Sequence, residues 1–246
     1  MPDMIRLFVE PGTIGPESAT VGPEGKHYLI SVLRLKPGDE LELFDGTGKC
    51  YKAQIEEIYR QGVSFKIISG YTKPVEARIK LTLGQGLIKS DKMDWVVQKA
   101  TELGVSRIVP IITQRSHQIS MSHWPGKQSR WQKIALEAVR QSGRTAIPTI
   151  APPIPLTTFL NQTETIQKLI FLENLDRPTK NWSIYLANES EIALLIGPEG
   201  GFEAQESADA IASGCQPVNL GPRILRAETA ALAALSIVQY ALGELG

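Results

Sequence analysis

The feature that most constrains the fold is a change of periodicity near Lys73-Pro74. Before it, short apolar runs separated by turn residues predict strands over Arg6 to Val9, Asp39 to Phe44, Tyr51 to Ile58 and Val63 to Ile68. Leu41 and Leu43 alternate with Glu40 and Glu42, which reads as a strand with one buried face. One short helix is predicted over His27 to Leu33, stopped by Lys36-Pro37-Gly38. After the change, strands at Ile79 to Leu83, Ile108 to Ile112, Lys168 to Leu172, Ile192 to Ile196 and Pro217 to Leu220 alternate with helices. These cover Asp91 to Leu103, Lys127 to Ser142, Ala204 to Ala212 and Ala227 to Leu242. A small barrel-like β domain over residues 1–73 and an α/β domain with a mostly parallel sheet over residues 74–246 are the expected outcome.

Several function classes are disfavoured. Cys50 and Cys215 are far apart, so neither a disulfide framework nor a cysteine zinc site is expected, and no metal is. Ala230 to Leu242 is the longest apolar stretch, too short and too polar at Ser236, Gln239 and Tyr240 to span a bilayer. Met1 to Phe8 carries Asp3 and Arg6 without the apolar core of a signal peptide, so a cytoplasmic location is expected.

The net charge of zero conceals a segregation. Residues 1–73 hold 9 basic and 10 acidic side chains, residues 74–146 hold 12 and 5, and residues 147–246 hold 5 and 11. A basic middle segment on a neutral chain is the footprint expected where a polyanion docks, although solvated helix faces give the same count. Lys89, Lys92 and Lys99 lie on or before the first helix of the second domain, within reach of such a backbone.

Two motifs follow strands, where open α/β sheets bind ligands. Gly197-Pro198-Glu199-Gly200-Gly201-Phe202 lets backbone approach a ligand without side-chain obstruction. Leu220-Gly221-Pro222-Arg223-Ile224-Leu225-Arg226 then leads into Ala227-Glu228-Thr229-Ala230. Arg226 stands at a helix N-terminus against the macrodipole, which points either to function or to a salt bridge with a nearby carboxylate. Gly84-Gln85-Gly86 imitates a phosphate loop, but its spacing is wrong and no dinucleotide or P-loop signature is present.

At these residues the chain resembles the RsmE-type ribosomal RNA methyltransferases of the SPOUT superfamily. The resemblance spans nearly the whole length. It runs through Arg6-Leu7-Phe8-Val9, His27, Val32-Leu33-Arg34-Leu35, Phe44-Asp45-Gly46, Lys89-Ser90-Asp91-Lys92-Met93-Asp94, Gln98 to Val105, Arg115-Ser116, Glu137 and Gln141-Ser142-Gly143-Arg144 to the two C-terminal motifs. Gln114, standing where an acidic residue is expected, and Arg140 depart from it.

The resemblance implies a PUA-like RNA-binding barrel, then a SPOUT domain whose final helix passes through a deep trefoil knot within about residues 170–246. S-adenosyl-L-methionine is the implied cofactor. Its implied contacts are Leu172, Glu173 and Asn174, then Ile196, Gly197, Pro198, Glu199, Gly200 and Gly201, then Leu220, Gly221, Ile224, Leu225, Arg226, Thr229 and Ala230. The implied reaction is methylation of N3 of a uridine in 16S rRNA, in the decoding region of the small ribosomal subunit, by a homodimer. Arg226 is expected to stabilise the developing uridinate, with Glu199 or Glu228 taking the proton or orienting the arginine. RNA contacts are expected from Arg6, Arg34, Lys89, Lys92, Arg115, Arg144 and Arg223, with Trp95, Trp124 or Trp131 as a stacking surface. Methylation of tRNA or of a ribose hydroxyl, and a noncatalytic RNA-binding role, remain open at the level of sequence.

Overall fold

The computed structural model describes residues 4–163, 166–173, 175, 186 and 189–245. It divides into two compact units, Met1–Glu76 with Val139–Ile147, and Ala77–Ala138 with Pro148–Gly246.

The first unit is a five-stranded sheet of β1 (Arg6–Phe8), β2 (Ser18–Val21), β3 (Glu40–Phe44), β4 (Lys49–Tyr59) and β5 (Gly62–Thr72), in the order β1-β3-β4-β5-β2. Only β1 and β3 run parallel. Its core is built by Leu7, Leu29, Leu41, Leu43, Ile55 and Phe65, all buried. The expected helix is a short turn α1 (Pro23–Lys26) continuing as a π-helical stretch, His27–Val32, which ends where Arg34 adopts a left-handed backbone, φ 59°.

The alternation read in β3 is incomplete, because Glu42 is 2% exposed rather than facing water. Its carboxylate accepts from Arg6 Nε at 2.6 Å and from the Tyr71 hydroxyl at 2.6 Å, and it pairs with Lys73. A buried charge is tolerable only when it is paired and hydrogen-bonded in this way. Burial pushes the Glu42 carboxyl up, but the bonds from Lys73, Tyr71 and Arg6 outweigh burial and hold it below the usual range.

The second unit is a parallel sheet of β6 (Lys80–Gly86), β7 (Arg107–Ile112), β8 (Thr149–Ile150), β9 (Ile154–Pro155), β10 (Gln167–Phe171), β11 (Glu191–Ile196) and β12 (Gln216–Val218). The order is β12-β10-β11-β6-β7-β8, with β9 also on β7. Near-continuous burial along β6, β10 and β11 is what a parallel sheet covered on both faces requires. Its helices are α2 (Ser90–Glu102), α3 (Trp124–Ser142), α4 (Leu156–Gln162), α5 (Ala204–Ala212) and α6 (Ala227–Ala241). Phe159 and Leu160 of α4, Ala210 of α5 and Cys215 close one core cluster with Val109, Ile111, Ile170 and Leu195. The helix α6 packs on α2 and β11, and its buried Ala231 and Ala234 keep it slim.

Gly84, Gln85 and Gly86 form the end of β6, not a loop. A Cβ on Gly84 would lie 2.9 Å from the Phe159 ring, and one on Gly86 would lie 2.6 Å from the backbone nitrogen of Pro198. These glycines serve close packing, which explains the poor match to a phosphate loop.

Candidate active site

The adjacent parallel strands β12, β10 and β11 bring their carboxyl ends to one edge of the sheet, beside β6 where the strand order reverses. Three segments leave this edge: Leu172-Glu173, Gly197 to Phe202, and Asn219 to Arg226. The middle one turns through Gly201, φ 68°, whose N–H donates to the Pro198 carbonyl at 2.9 Å. Glu203 then caps α5 through a reciprocal pair of bonds with Glu206. The last segment turns at Gly221, φ 96°, a conformation that favours glycine.

Together they enclose a cavity of about 750 Å³, within the size range of cofactor pockets. The lining includes Leu172, Glu173, Ile196 through Gly201, Leu220, Gly221, Ile224, Leu225, Arg226 and Ala230, which sequence had already gathered into one site. Thr229 is exposed and does not line it, and Asn174 lies outside the described residues. Phe202, the last residue of the glycine motif, lines the cavity as well, and Phe171 and Ser207 line it and were missed. So was Gln85, fully buried, whose side-chain amide donates to the Gly197 carbonyl at 3.3 Å from beneath.

Arg226 is the N-cap residue of α6, with extended backbone and no side-chain cap. Neither it nor Arg223 forms an ion pair among the described residues, so no described carboxylate accounts for a cation placed against the macrodipole. Both line the cavity, and Ile224 between them is 77% exposed.

Lys92, on the first turn of α2, also lines this cavity. Its ammonium lies 3.4 Å from Glu199 Oε1 and 3.5 Å from Glu228 Oε1. Burial pushes the Glu199 carboxyl up, but its own backbone N–H, that of Lys89, and Lys92 outweigh burial and hold it below the usual range. His117 stands 3.9 Å from its other oxygen. Glu228 Oε2 is buried without a hydrogen-bond partner among the described residues. Arg115 lines the cavity too, donating to Glu203 at 2.7 Å and to the Gly200 carbonyl at 2.9 Å.

The remaining expected RNA contacts separate into two groups. Arg34 and Lys89 are exposed. Arg6 and Arg144 are interior ties: Arg6 spends its donors on Glu42 and on the carbonyls of Val139, Arg140 and Arg144. Arg144, 5% exposed, binds Glu76 at 2.7 Å, and Glu76 also accepts from the backbone of Thr145 and Ala146. These donors are occupied in the interior, so Arg6 and Arg144 do not present them to RNA. Trp131 is 1% exposed, with its indole N–H on Asp94, and packs edge-on against Trp124 at 5.5 Å; both are core. Trp95 is 41% exposed. Among the described residues no group of three or more His, Cys, Asp or Glu side chains is placed to hold a metal. No described helix is long and apolar enough to cross a membrane.

Comparison with known proteins agrees with this architecture. Residues 75–239 match the RNA methyltransferase domain family, and residues 22–68 match the RNA methyltransferase PUA domain family. The ribosomal RNA small subunit methyltransferase E of Buchnera aphidicola (strain APS) is 33% identical over 97% of this chain and 94% of its own. A putative methyltransferase of Legionella pneumophila, solved with bound SAM, is 36% identical with TM-score 0.86, covering 97% of this chain and 98% of that one. The ribosomal RNA small subunit methyltransferase E of Neisseria gonorrhoeae, solved with S-adenosyl methionine, is 32% identical with TM-score 0.85, covering 96% and 97%. With its domain matches in that order and relatives aligned across both units, the chain belongs to the ribosomal RNA small subunit methyltransferase E family.

Proposed function

We propose that this protein is an S-adenosyl-L-methionine-dependent methyltransferase acting on N3 of a uridine in the decoding region of 16S rRNA. The observation that carries the reading is the cavity at the carboxyl ends of β10, β11 and β12, lined by Gly197, Gly200, Gly201 and Gly221 and by Arg223 and Arg226. Its residues fit the cofactor. A Cβ on Gly197 would come within 3.3 Å of the Gly201 backbone, a tight contact, so the loop presents main chain at this position. Glu173 and Glu199 supply negative charge suited to a sulfonium, and Leu172, Ile224 and Leu225 supply apolar surface suited to adenine.

When bound, S-adenosyl-L-methionine supplies an electrophilic methyl group and leaves as a neutral thioether. The chain's contribution is positioning and electrostatics. Arg226, in no ion pair among the described residues, stabilises negative charge as N3 loses its proton. Glu199, at the cavity wall, accepts that proton. Arg34, exposed in a left-handed backbone, and Lys89 hold flanking phosphates while Trp95 offers a stacking face.

The same reading takes residues 1–73 as the RNA-binding domain and residues 74–246 as the catalytic domain, with α6 threaded through a trefoil knot within about residues 170–246. It takes the working form as a cytoplasmic homodimer. Calorimetric titration with S-adenosyl-L-methionine, followed by transfer of labelled methyl groups to small ribosomal subunits, tests it. Binding with transfer supports the enzyme, whereas no binding would leave only an RNA-binding role. Arg226→Ala is expected to abolish transfer; full transfer by this variant with unchanged cofactor affinity would remove Arg226 from the chemistry.

A further inference from the structure

Lys92 reads from sequence as a phosphate contact, yet its surroundings are those of an active-site cation. Its ammonium faces two carboxylates, Glu199 on the β11 loop and Glu228 on the first turn of α6, at 3.4 and 3.5 Å. Charge-assisted N–H···O bonds normally close to about 2.7–2.9 Å, so both holds are loose. An ammonium has three donors, so one at least has no partner among the described residues, and Lys92 lines the cavity. Glu228 has no other partner among the described residues, and its second oxygen is buried with none. A carboxylate kept at that cost is explained if its task is to hold Lys92. By contrast Arg115, the other basic side chain reaching the cavity from outside its three loops, is committed at 2.7 and 2.9 Å to Glu203 and Gly200.

We propose that Lys92 is a second catalytic cation, donating to a carbonyl oxygen of the target uridine beside N3, with Glu199 and Glu228 as the side chains that aim it. The inference rests on the proposed N3 chemistry. Loss of the N3 proton spreads negative charge over both flanking carbonyl oxygens, so one cation, Arg226, meets only part of it. In the balanced step the N3 proton passes to Glu199, the N3 pair forms the new N–C bond, and the C–S electrons remain on sulfur. As Glu199 is neutralised, its attraction for Lys92 falls and the ammonium's charge is released toward the uridinate.

The test compares Lys92→Met, Lys92→Arg and the double variant Lys92→Met/Glu228→Gln, the last removing the carboxylate that Lys92→Met leaves unpaired. Expected is a loss of about a hundredfold in kcat for both Met-containing variants, the range of one missing electrostatic donor, with partial recovery in Lys92→Arg. Cofactor affinity by calorimetry, RNA affinity and the salt dependence of RNA binding should stay at wild-type values. RNA carrying 5-fluorouridine at the target, whose N3–H is more acidic, should narrow the gap between wild type and variant. Retained kcat with weaker RNA binding and a salt slope reduced by about one would make Lys92 a phosphate contact and overturn the proposal. Full recovery of kcat in the double variant would also overturn it, since the loss would then come from the unpaired Glu228. If the wild type itself forms no N3-methyluridine, the underlying reading has failed rather than this extension of it.

Discussion

Replacing Gly86 with alanine should uncouple cofactor binding from folding. Gly86 ends β6, and an added Cβ would stand 2.6 Å from the Pro198 nitrogen and Cδ and 2.9 Å from the Gly197 carbonyl carbon. Two of these atoms are backbone of the β11 loop and the third is locked in the Pro198 ring, so no side-chain rotation relieves the clash. Raising 2.6 Å to the 3.4 Å of ordinary contact moves the loop by about 0.8 Å. Overpacking of this kind costs about 1–3 kcal/mol, and a misplacement near 1 Å at a positioned site costs roughly a hundredfold in function. Gly84→Ala is the control, because its Cβ meets the Phe159 ring at 2.9 Å and leaves the β11 loop untouched. Both variants should unfold at lower temperature, while calorimetry should show S-adenosyl-L-methionine affinity falling at least tenfold in Gly86→Ala alone. Wild-type affinity in Gly86→Ala, or an equal loss in both, would refute the view that Pro198 and Gly197 shape the cofactor site from this backbone position.

Three further outcomes are expected. Because bonds from Lys73, Tyr71 and Arg6 outweigh burial and hold the Glu42 carboxyl below 4.5, it adds stability that is present above 4.5 and lost as pH falls through its folded value. Glu42→Gln should therefore destabilise at neutral pH by about 3 kcal/mol and flatten the acid limb of thermal denaturation, a limb of unchanged steepness being the contrary result. Cys50 and Cys215 are buried, and burial pushes the Cys215 thiol up to about 11, so thiol reagents should label neither until the protein unfolds. Alanine at both positions should keep methyl transfer, and a loss of transfer with the fold intact would revive a covalent cysteine route. Trp95→Ala should leave thermal stability nearly unchanged but weaken RNA binding, whereas a large fall in melting temperature would make Trp95 a packing residue.

Most of the fold was legible because its signals are local. The change from strands alone to strands alternating with amphipathic helices marks two kinds of structure, and Ala204–Ala212 forms α5 over the span its periodicity gave. The cavity was legible for a related reason: glycine-rich stretches after strands end up together once the strands lie parallel and adjacent. What sequence hid was set by partners distant along the chain. Glu42 looks solvent-facing until Arg6, Tyr71 and Lys73 converge on it. Gly84 and Gly86 look like a loop until Phe159 and Pro198 arrive against them. Strand β9 and helix α4 are short and follow the prolines at 152 and 153, too brief for periodicity to register. Lys92 looked like one surface lysine among several, because Glu199 and Glu228 meet it from 107 and 136 residues further on.

The proposed chemistry stands or falls on the identity of the methylated atom. Purified protein, S-adenosyl-L-methionine and small ribosomal subunits or naked 16S rRNA, followed by nucleoside mass spectrometry and mapping of the modified position, address it directly. The predicted result is N3-methyluridine at a single position in the decoding region, absent when Arg226 is alanine. Methyl groups on a ribose hydroxyl, on another base, or on no substrate at all would contradict it.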